Sequence, residues 1–90
     1  MSIFNVEVEQ NHLNVAQNVI GQFTENLKIL YEKTFIQKFQ EEEIDSNDLK
    51  DIDIEVLQSW GITKKFHQNK IIRILNKSID EVSFNLFFLS

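Results

Sequence analysis

Three residue types that shape many small folds are scarce or missing in this chain of 90 residues. There is no cysteine, which excludes a disulfide framework and a zinc site built on thiolates. There is no proline and there are only two glycines, which favours helices joined by short connections over a turn-rich β-sandwich. No segment reaches the roughly 18–20 apolar residues that a membrane-spanning helix needs.

The composition points to a folded, acidic domain. A hydrophobic fraction of 42% argues against disorder, and the net charge of −5 disfavours nucleic acid and anionic membranes as partners. The N-terminal residues MSIFNVEVEQ lack the positive start and the apolar run of a signal peptide. We therefore expect a soluble intracellular protein, located in the cytoplasm.

Apolar residues recur at helical spacing through the first half of the chain. They are Leu13, Ala16, Ile20, Phe23, Leu27, Leu30, Tyr31, Phe35 and Phe39. The pattern predicts helix over residues 12–40, either as one helix or as two, because Gly21 is unfavourable in a helix interior and Thr24 is a candidate N-cap. If the segment is one helix, a coiled-coil dimer through residues 13–39 is an open alternative.

The two ends of the chain alternate apolar and polar residues with a period of two, which is a strand signal. The alternating residues are Phe4, Val6 and Val8 at the start, and Val82, Phe84, Leu86 and Phe88 at the end. In a monomer the apolar tail must be packed, since it would otherwise form an exposed patch. We expect it to pack against the N-terminal arm, as paired strands or as a helix extension, or to form a second interface.

An acidic run in the middle of the chain also contains apolar residues at regular intervals. Residues 41–55 hold eight acids and one lysine. Asp45 or Ser46 is predicted to cap a first short helix, and Asp53 a second one, because a short polar side chain accepts from the orphan N–H groups. Gly61 is predicted to end the second helix, since a residue without a Cβ adopts positive φ at little cost.

The last helix is predicted from Thr63, a candidate N-cap, onward. Its apolar stripe contains Ile71, Ile74, Leu75, Ile79 and Val82, with Ser78 as the only interruption. Residues 64–77 hold five cations and no acid. Opposite charges on two parts of one small body favour heterologous contacts, which propagate into rings or filaments and which steer association more than they add affinity.

An ordered series of motifs runs without a gap from Phe35 to Leu75. It contains the aromatic residues Phe35 and Phe39, the turn Glu43-Ile44-Asp45, the apolar pair Leu49 and Ile52, the cap Asp53, then Leu57 with Trp60-Gly61-Ile62, and finally His67 with Lys70-Ile71. In this order the motifs resemble those of a sterile alpha motif (SAM) domain. The sequence departs from the family pattern at Ser46 and Phe66, which replace glycines.

The resemblance implies an all-α fold, a small five-helix SAM-like bundle with N- and C-terminal extensions. The segments expected are an N-terminal arm over residues 1–18, the SAM-like domain over residues 19–79 and an apolar tail over residues 80–90. It also implies a protein–protein interaction module. Many members of the family associate head to tail, with a central acidic surface of one copy against the basic start of the final helix of the next.

We therefore expect two contact faces and a partner that is a second copy or another SAM domain, with a homo-oligomer as the result. The acidic mid-loop face would consist of Glu42, Glu43, Asp45, Asp48, Asp51 and Asp53. The basic end-helix face would consist of Lys64, Lys65, Phe66, His67 and Lys70. Phe66 has the character of an aromatic anchor in a polar rim, and the alternative is that its ring folds back onto the core.

Other functions are disfavoured but give testable alternatives. The basic final helix would suit a hairpin RNA, and a heterotypic SAM adaptor would not self-associate. We expect no enzyme, no cofactor and no metal site. Lys50 occupies the position at which a calcium-binding EF-hand loop requires glycine, and His12 and His67 have no partner at metal-ligand spacing. Each histidine is expected at the surface or at its boundary.

Overall fold

Helices account for all the regular structure of the part of the chain that the structure describes. The computed structural model describes the backbone of residues 3–89 and the side chains of residues 11–79. In this range the helices are α1 (Ile3–Ile20), α2 (Glu25–Glu41), a 3₁₀ helix (Ser46–Asp51), α3 (Ile54–Ser59) and α4 (Lys65–Leu89). The predicted all-α fold with five helices is confirmed. The chain divides into two compact units, Met1–Asp45 and Ser46–Ser90.

Both ends of the described backbone are helical. Because α1 begins at Ile3 and α4 ends at Leu89, the residues that alternate with a period of two lie in helices, and the strand predictions are wrong. No glycine or proline separates either end from the adjacent helical pattern, and each added residue extends the helix by one hydrogen bond. The predicted packing of the tail side chains lies outside the described residues. The segment boundaries after residues 18 and 79 fall inside α1 and α4 and stay predictions.

The first half of the chain contains two helices rather than one. The first helix, α1, ends at Ile20, and the amide of Gly21 donates to the carbonyl of Gln17 over 2.8 Å. Thr24 is then extended, and its hydroxyl accepts from the Leu27 amide, so the predicted N-cap of a second helix is confirmed. A coiled coil through residues 13–39 as a single helix is excluded.

Three phenylalanine rings pack in the core of the first unit. The rings of Phe23 and Phe35 meet edge to face at 5.1 Å, and Phe35 lies 5.5 Å from Phe39. Leu30 does not join this core, because 54% of it is exposed. It lies five residues before Phe35, about 140° around the helix, so the apolar stripe predicted through Leu30 is wrong at this position.

His12 is buried in the first unit, where the sequence predicted a surface or boundary position. It is 7% exposed, and its Nδ1 donates to the carbonyl of Ile44 over 2.9 Å. The sequence does contain the signal for this, since His12 precedes Val15, Ala16 and Val19 at helical spacing, and these three are buried.

The end of α2 is a Schellman motif with an unusual residue in it. The amide of Ile44 donates to the Phe39 carbonyl over 2.9 Å, and that of Glu43 donates to the Gln40 carbonyl over 3.3 Å. This motif requires a positive φ, and Glu43 adopts it at 53°. The left-handed residue of this turn is therefore Glu43, where glycine is the usual residue, and not Ser46.

The second unit packs three helices together. The 3₁₀ helix and α3 both contact α4. The buried apolar residues of this unit are Leu49, Ile52, Leu57, Ile62, Ile71 and Leu75. Two polar side chains are buried on α4 as well. Gln68 donates to the Ile62 carbonyl over 2.9 Å, and Ser78 donates to the Ile74 carbonyl over 3.0 Å. Each buried polar side chain therefore has a hydrogen-bond acceptor within the packed face.

Two signals fix the ends of α3 as predicted. Asp53 is its N-cap, with Oδ1 accepting from the Val56 amide over 2.9 Å. Gly61 has a φ of 88°, and the amide of Ile62 closes a second Schellman motif on the Leu57 carbonyl at 3.0 Å.

Candidate functional site

The start of α4 is held in place by the loop before it. Ile62 is fully buried, and its carbonyl accepts from the buried Gln68 side chain one turn into α4. The first backbone bond of the helix runs from the Gln68 amide to the Lys64 carbonyl over 2.9 Å. Because α4 begins at Lys65, the cap position is Lys64 and not the predicted Thr63. These two hydrogen bonds therefore fix the backbone at the start of α4 relative to the loop that contains Ile62.

The predicted end-helix face is mostly exposed. Lys64, Lys65 and Lys70 are exposed, and His67 is half-buried. Phe66 is 78% exposed, which excludes the alternative that its ring folds back onto the core. Folding does not remove this aromatic side chain from water, so its burial still has hydrophobic free energy to contribute. Contact with another molecule would supply that burial.

Phe66 begins a stripe along the exposed side of α4. Lys70, Arg73 and Lys77 follow it at steps of four, three and four residues, and all three are exposed. This spacing keeps side chains on one side of a helix. The buried residues Gln68, Ile71, Leu75 and Ser78 share a different side. The stripe thus consists of one aromatic ring followed by three cations.

The predicted mid-loop face is divided between the two units. Glu42 and Glu43 are exposed and Asp45 is half-buried in the first unit. In the second unit Asp51 and Asp53 are exposed, whereas Asp48 is half-buried. The structure thus brings the six acids into two groups of three. Both groups leave carboxylates at the surface.

A cleft in the second unit was not predicted from the sequence. It has a volume of about 500 Å³ and lies between the segment around α3 and the middle of α4. Its lining consists of Lys50, Ile52, Asp53, Ile54, Glu55, Ile72 and Asn76. Neither the apolar pattern nor the charge pattern marks these residues as a set, because the fold brings positions 50–55 and 72–76 together.

An exposed apolar pair on α2 was also missed. Ile29 is 77% exposed and Leu30 54%, and both lie in the first unit. The sequence placed Leu30 in the core stripe and gave Ile29 no role. The break at Thr24 resets the helix, so the buried side of α2 is defined by Leu27 and Phe35.

Three observations on residues 11–79 concern metal ligands, a phenol and a histidine. Among residues 11–79 no group of three or more histidines and acids is placed to hold a metal ion. Burial raises the pKa of the Tyr31 phenol above its usual value of 10.0, which keeps the group neutral near pH 7 rather than activating it. The buried histidine, His12, is engaged with a backbone carbonyl.

Comparisons with known proteins give no relative for this chain. No protein-family model matches it, and neither a curated protein nor a solved structure does so. The resemblance to SAM domains therefore depends on the ordered motifs of residues 35–75 and stays a prediction. Over the described residues, no helix is long and apolar enough to cross a membrane.

Proposed function

We propose that this protein is an interaction module that associates head to tail with further copies of itself, through the end-helix face of one copy and the mid-loop face of the next. A SAM-like role in a scaffold or signalling assembly, in the cytoplasm, is part of this proposal, as is the absence of enzymatic activity.

The exposure of Phe66 is the observation that carries the proposal. Binding energy at protein interfaces is concentrated in a few anchors, often aromatic or arginine, within a polar rim. Phe66 has this composition around it, because Lys64, Lys65 and Lys70 are all exposed. Its ring stands at the start of a helix that the loop contacts of Gln68 hold in place. Such an anchor requires little ordering on binding, which reduces the entropic cost of association.

The charges determine which faces of two copies attract each other. The end-helix face carries cations, and both groups of the mid-loop face carry acids, so two copies attract when unlike faces meet and repel when like faces meet. A contact between two different surfaces leaves one of each unused at the ends of the assembly. The result is a chain of copies or a closed ring rather than a simple symmetric dimer.

Two single substitutions test the proposal by sedimentation velocity over a range of concentrations. Phe66→Ala removes the anchor and Lys65→Glu reverses one steering charge, and both positions are exposed, so the fold should be retained. We expect Phe66→Ala to weaken association by about thirtyfold, the loss typical of an interface hot spot. Lys33→Glu is the matched control for charge, since Lys33 is exposed on α2 and belongs to neither predicted face. Wild-type association in both variants would contradict the proposal.

Two alternatives are separated by the same samples. A heterotypic adaptor would stay monomeric and would bind a different SAM-like domain in a manner lost with Phe66→Ala. An RNA-binding protein would bind a hairpin through the cations of α4, with affinity falling steeply as salt rises. RNA binding would depend on Lys70 and Arg73 more than on the Phe66 ring.

A further inference from the structure

We propose that the cleft beside α3 is the receptor for Phe66 of the next copy. This inference rests on the proposed function and makes it specific. The acidic character of the mid-loop face explains steering, but acids alone offer no apolar surface for an aromatic ring. The cleft provides such a surface in the second unit.

The shape and the chemistry of the cleft suit an aromatic side chain. Its lining includes three isoleucines, Ile52, Ile54 and Ile72, and Ile54 is 45% exposed. The cleft is open to solvent, and its volume of about 500 Å³ leaves room for a phenyl ring. Covering Ile54 and Phe66 with each other would remove two of the most exposed apolar side chains of residues 11–79 from water.

The rim of the cleft is complementary to the residues around Phe66. Asp53 and Glu55 belong to the lining and are exposed, whereas Phe66 is preceded by Lys64 and Lys65. Lys50 is the one cation that lines the cleft, and the exposed Asp51 follows it in the chain. With the ring seated among the isoleucines, the two lysines would lie near the two carboxylates at the rim. Pairs of this kind fix the register of a contact.

The occupant has to come from another molecule. Phe66 is not among the residues that line the cleft, and its ring is exposed. It precedes Ile72 by six residues on the same helix, which separates the two by about 9 Å along the axis and about 120° around it. A copy therefore cannot place its own Phe66 in its own cleft while α4 stays helical. A second copy has no such restriction.

The test uses two isoleucine substitutions in the complete chain. Ile54→Lys places a cation in the cleft, and Ile29→Lys places the same cation at an exposed isoleucine of α2, outside the cleft. Circular dichroism first checks that both variants keep the helical content and melting transition of the wild type. Sedimentation then compares their association with that of the wild type and of Phe66→Ala. We expect Ile54→Lys to weaken association at least tenfold and Ile29→Lys to leave it unchanged.

Mixing provides a second readout that a folding defect cannot imitate. The variant Phe66→Ala keeps an intact cleft, and Ile54→Lys keeps an intact Phe66. Each should be monomeric alone at a concentration at which the wild type associates. The equimolar mixture should form a complex of one chain of each variant and should grow no further.

The outcomes distinguish the two claims. If Phe66→Ala weakens association and Ile54→Lys does not, the cleft is not the receptor, although the proposed function stands. If Ile29→Lys weakens association instead, the receptor is the exposed apolar pair on α2 and the inference is overturned. If the wild type is monomeric throughout, the proposed function fails and the inference fails with it.

Discussion

Glu43 adopts a backbone conformation that its side chain makes costly. A non-glycine residue at positive φ loses roughly 1–2 kcal/mol to the contact of its Cβ with the backbone. We expect Glu43→Gly to stabilise the fold by about 0.5–1 kcal/mol, a gain that raises the melting temperature by about 2–8 °C in a domain of this size. Thermal unfolding followed by circular dichroism measures the shift.

Glu42→Gly is the matched control for that gain. It removes a neighbouring exposed carboxylate at a residue whose φ is −90°, so no strain is relieved. This variant should be no more stable than the wild type. If both glycine variants gave the same melting temperature, the strain assigned to Glu43 would be absent.

The His12 imidazole connects α1 to the turn after α2. His12→Phe keeps an aromatic ring, although a larger one, and removes the donor to the Ile44 carbonyl. The expected cost in the free energy of unfolding is about 1–3 kcal/mol, measured by urea titration. Gln17→Phe changes an exposed position of the same helix and should cost far less. An equal effect of both changes would show that the hydrogen bond contributes nothing.

At the scale of elements, Asp53 has two roles that substitution can separate. It caps α3, and it also supplies a carboxylate to the cleft and to the mid-loop face. Asp53→Asn keeps a side-chain oxygen for the cap and removes the charge, so stability should stay near that of the wild type while association weakens. Asp53→Ala removes both, and the lost cap should cost about 1 kcal/mol of stability.

Urea titration measures the effect on stability, and sedimentation measures the effect on association. Each variant is measured for its free energy of unfolding and for its association constant. An asparagine variant that associates as strongly as the wild type would remove the Asp53 charge from the contact. The cap would then be its only role.

The elements that the sequence predicted well are those with a local signal. Thr24, Asp53 and Gly61 were identified as helix boundaries from their own chemistry, and each is found there. The two ends of the chain were wrongly predicted as strands. Their short period-two pattern was given more weight than their continuity with the adjacent helices. Glu43 was missed because nothing in its side chain indicates positive φ. The turn is set by the bonds that close on Phe39 and Gln40.

The candidate site was predictable in part for the same reason. The order Lys64, Lys65 and Phe66 at the start of a helix is visible in the sequence, although the exposure of the ring is not. The cleft depends on contacts between α4 and the segments before it, which lie some twenty residues apart in the chain. Periodicity within one helix carries no information about such contacts.

At the scale of the whole molecule, charge is distributed unevenly between the two units. The first unit contains eight acids and three cations, so it accounts for the net charge of −5. The second contains six acids and six cations, grouped along the chain as acids in 48–55, cations in 64–77 and acids at 80–81, apart from Lys50. Steering by such separated groups weakens as salt shortens the Debye length from about 10 Å at 0.1 M to about 3 Å at 1 M.

The most direct measurement of the central claim is light scattering after size exclusion, on the wild type, over a range of concentrations at low and at high salt. Head-to-tail association through charged faces predicts masses that rise with concentration above the 10.7 kDa of one chain and fall back toward it at high salt. A mass of 10.7 kDa at every concentration and at both salt levels would contradict self-association.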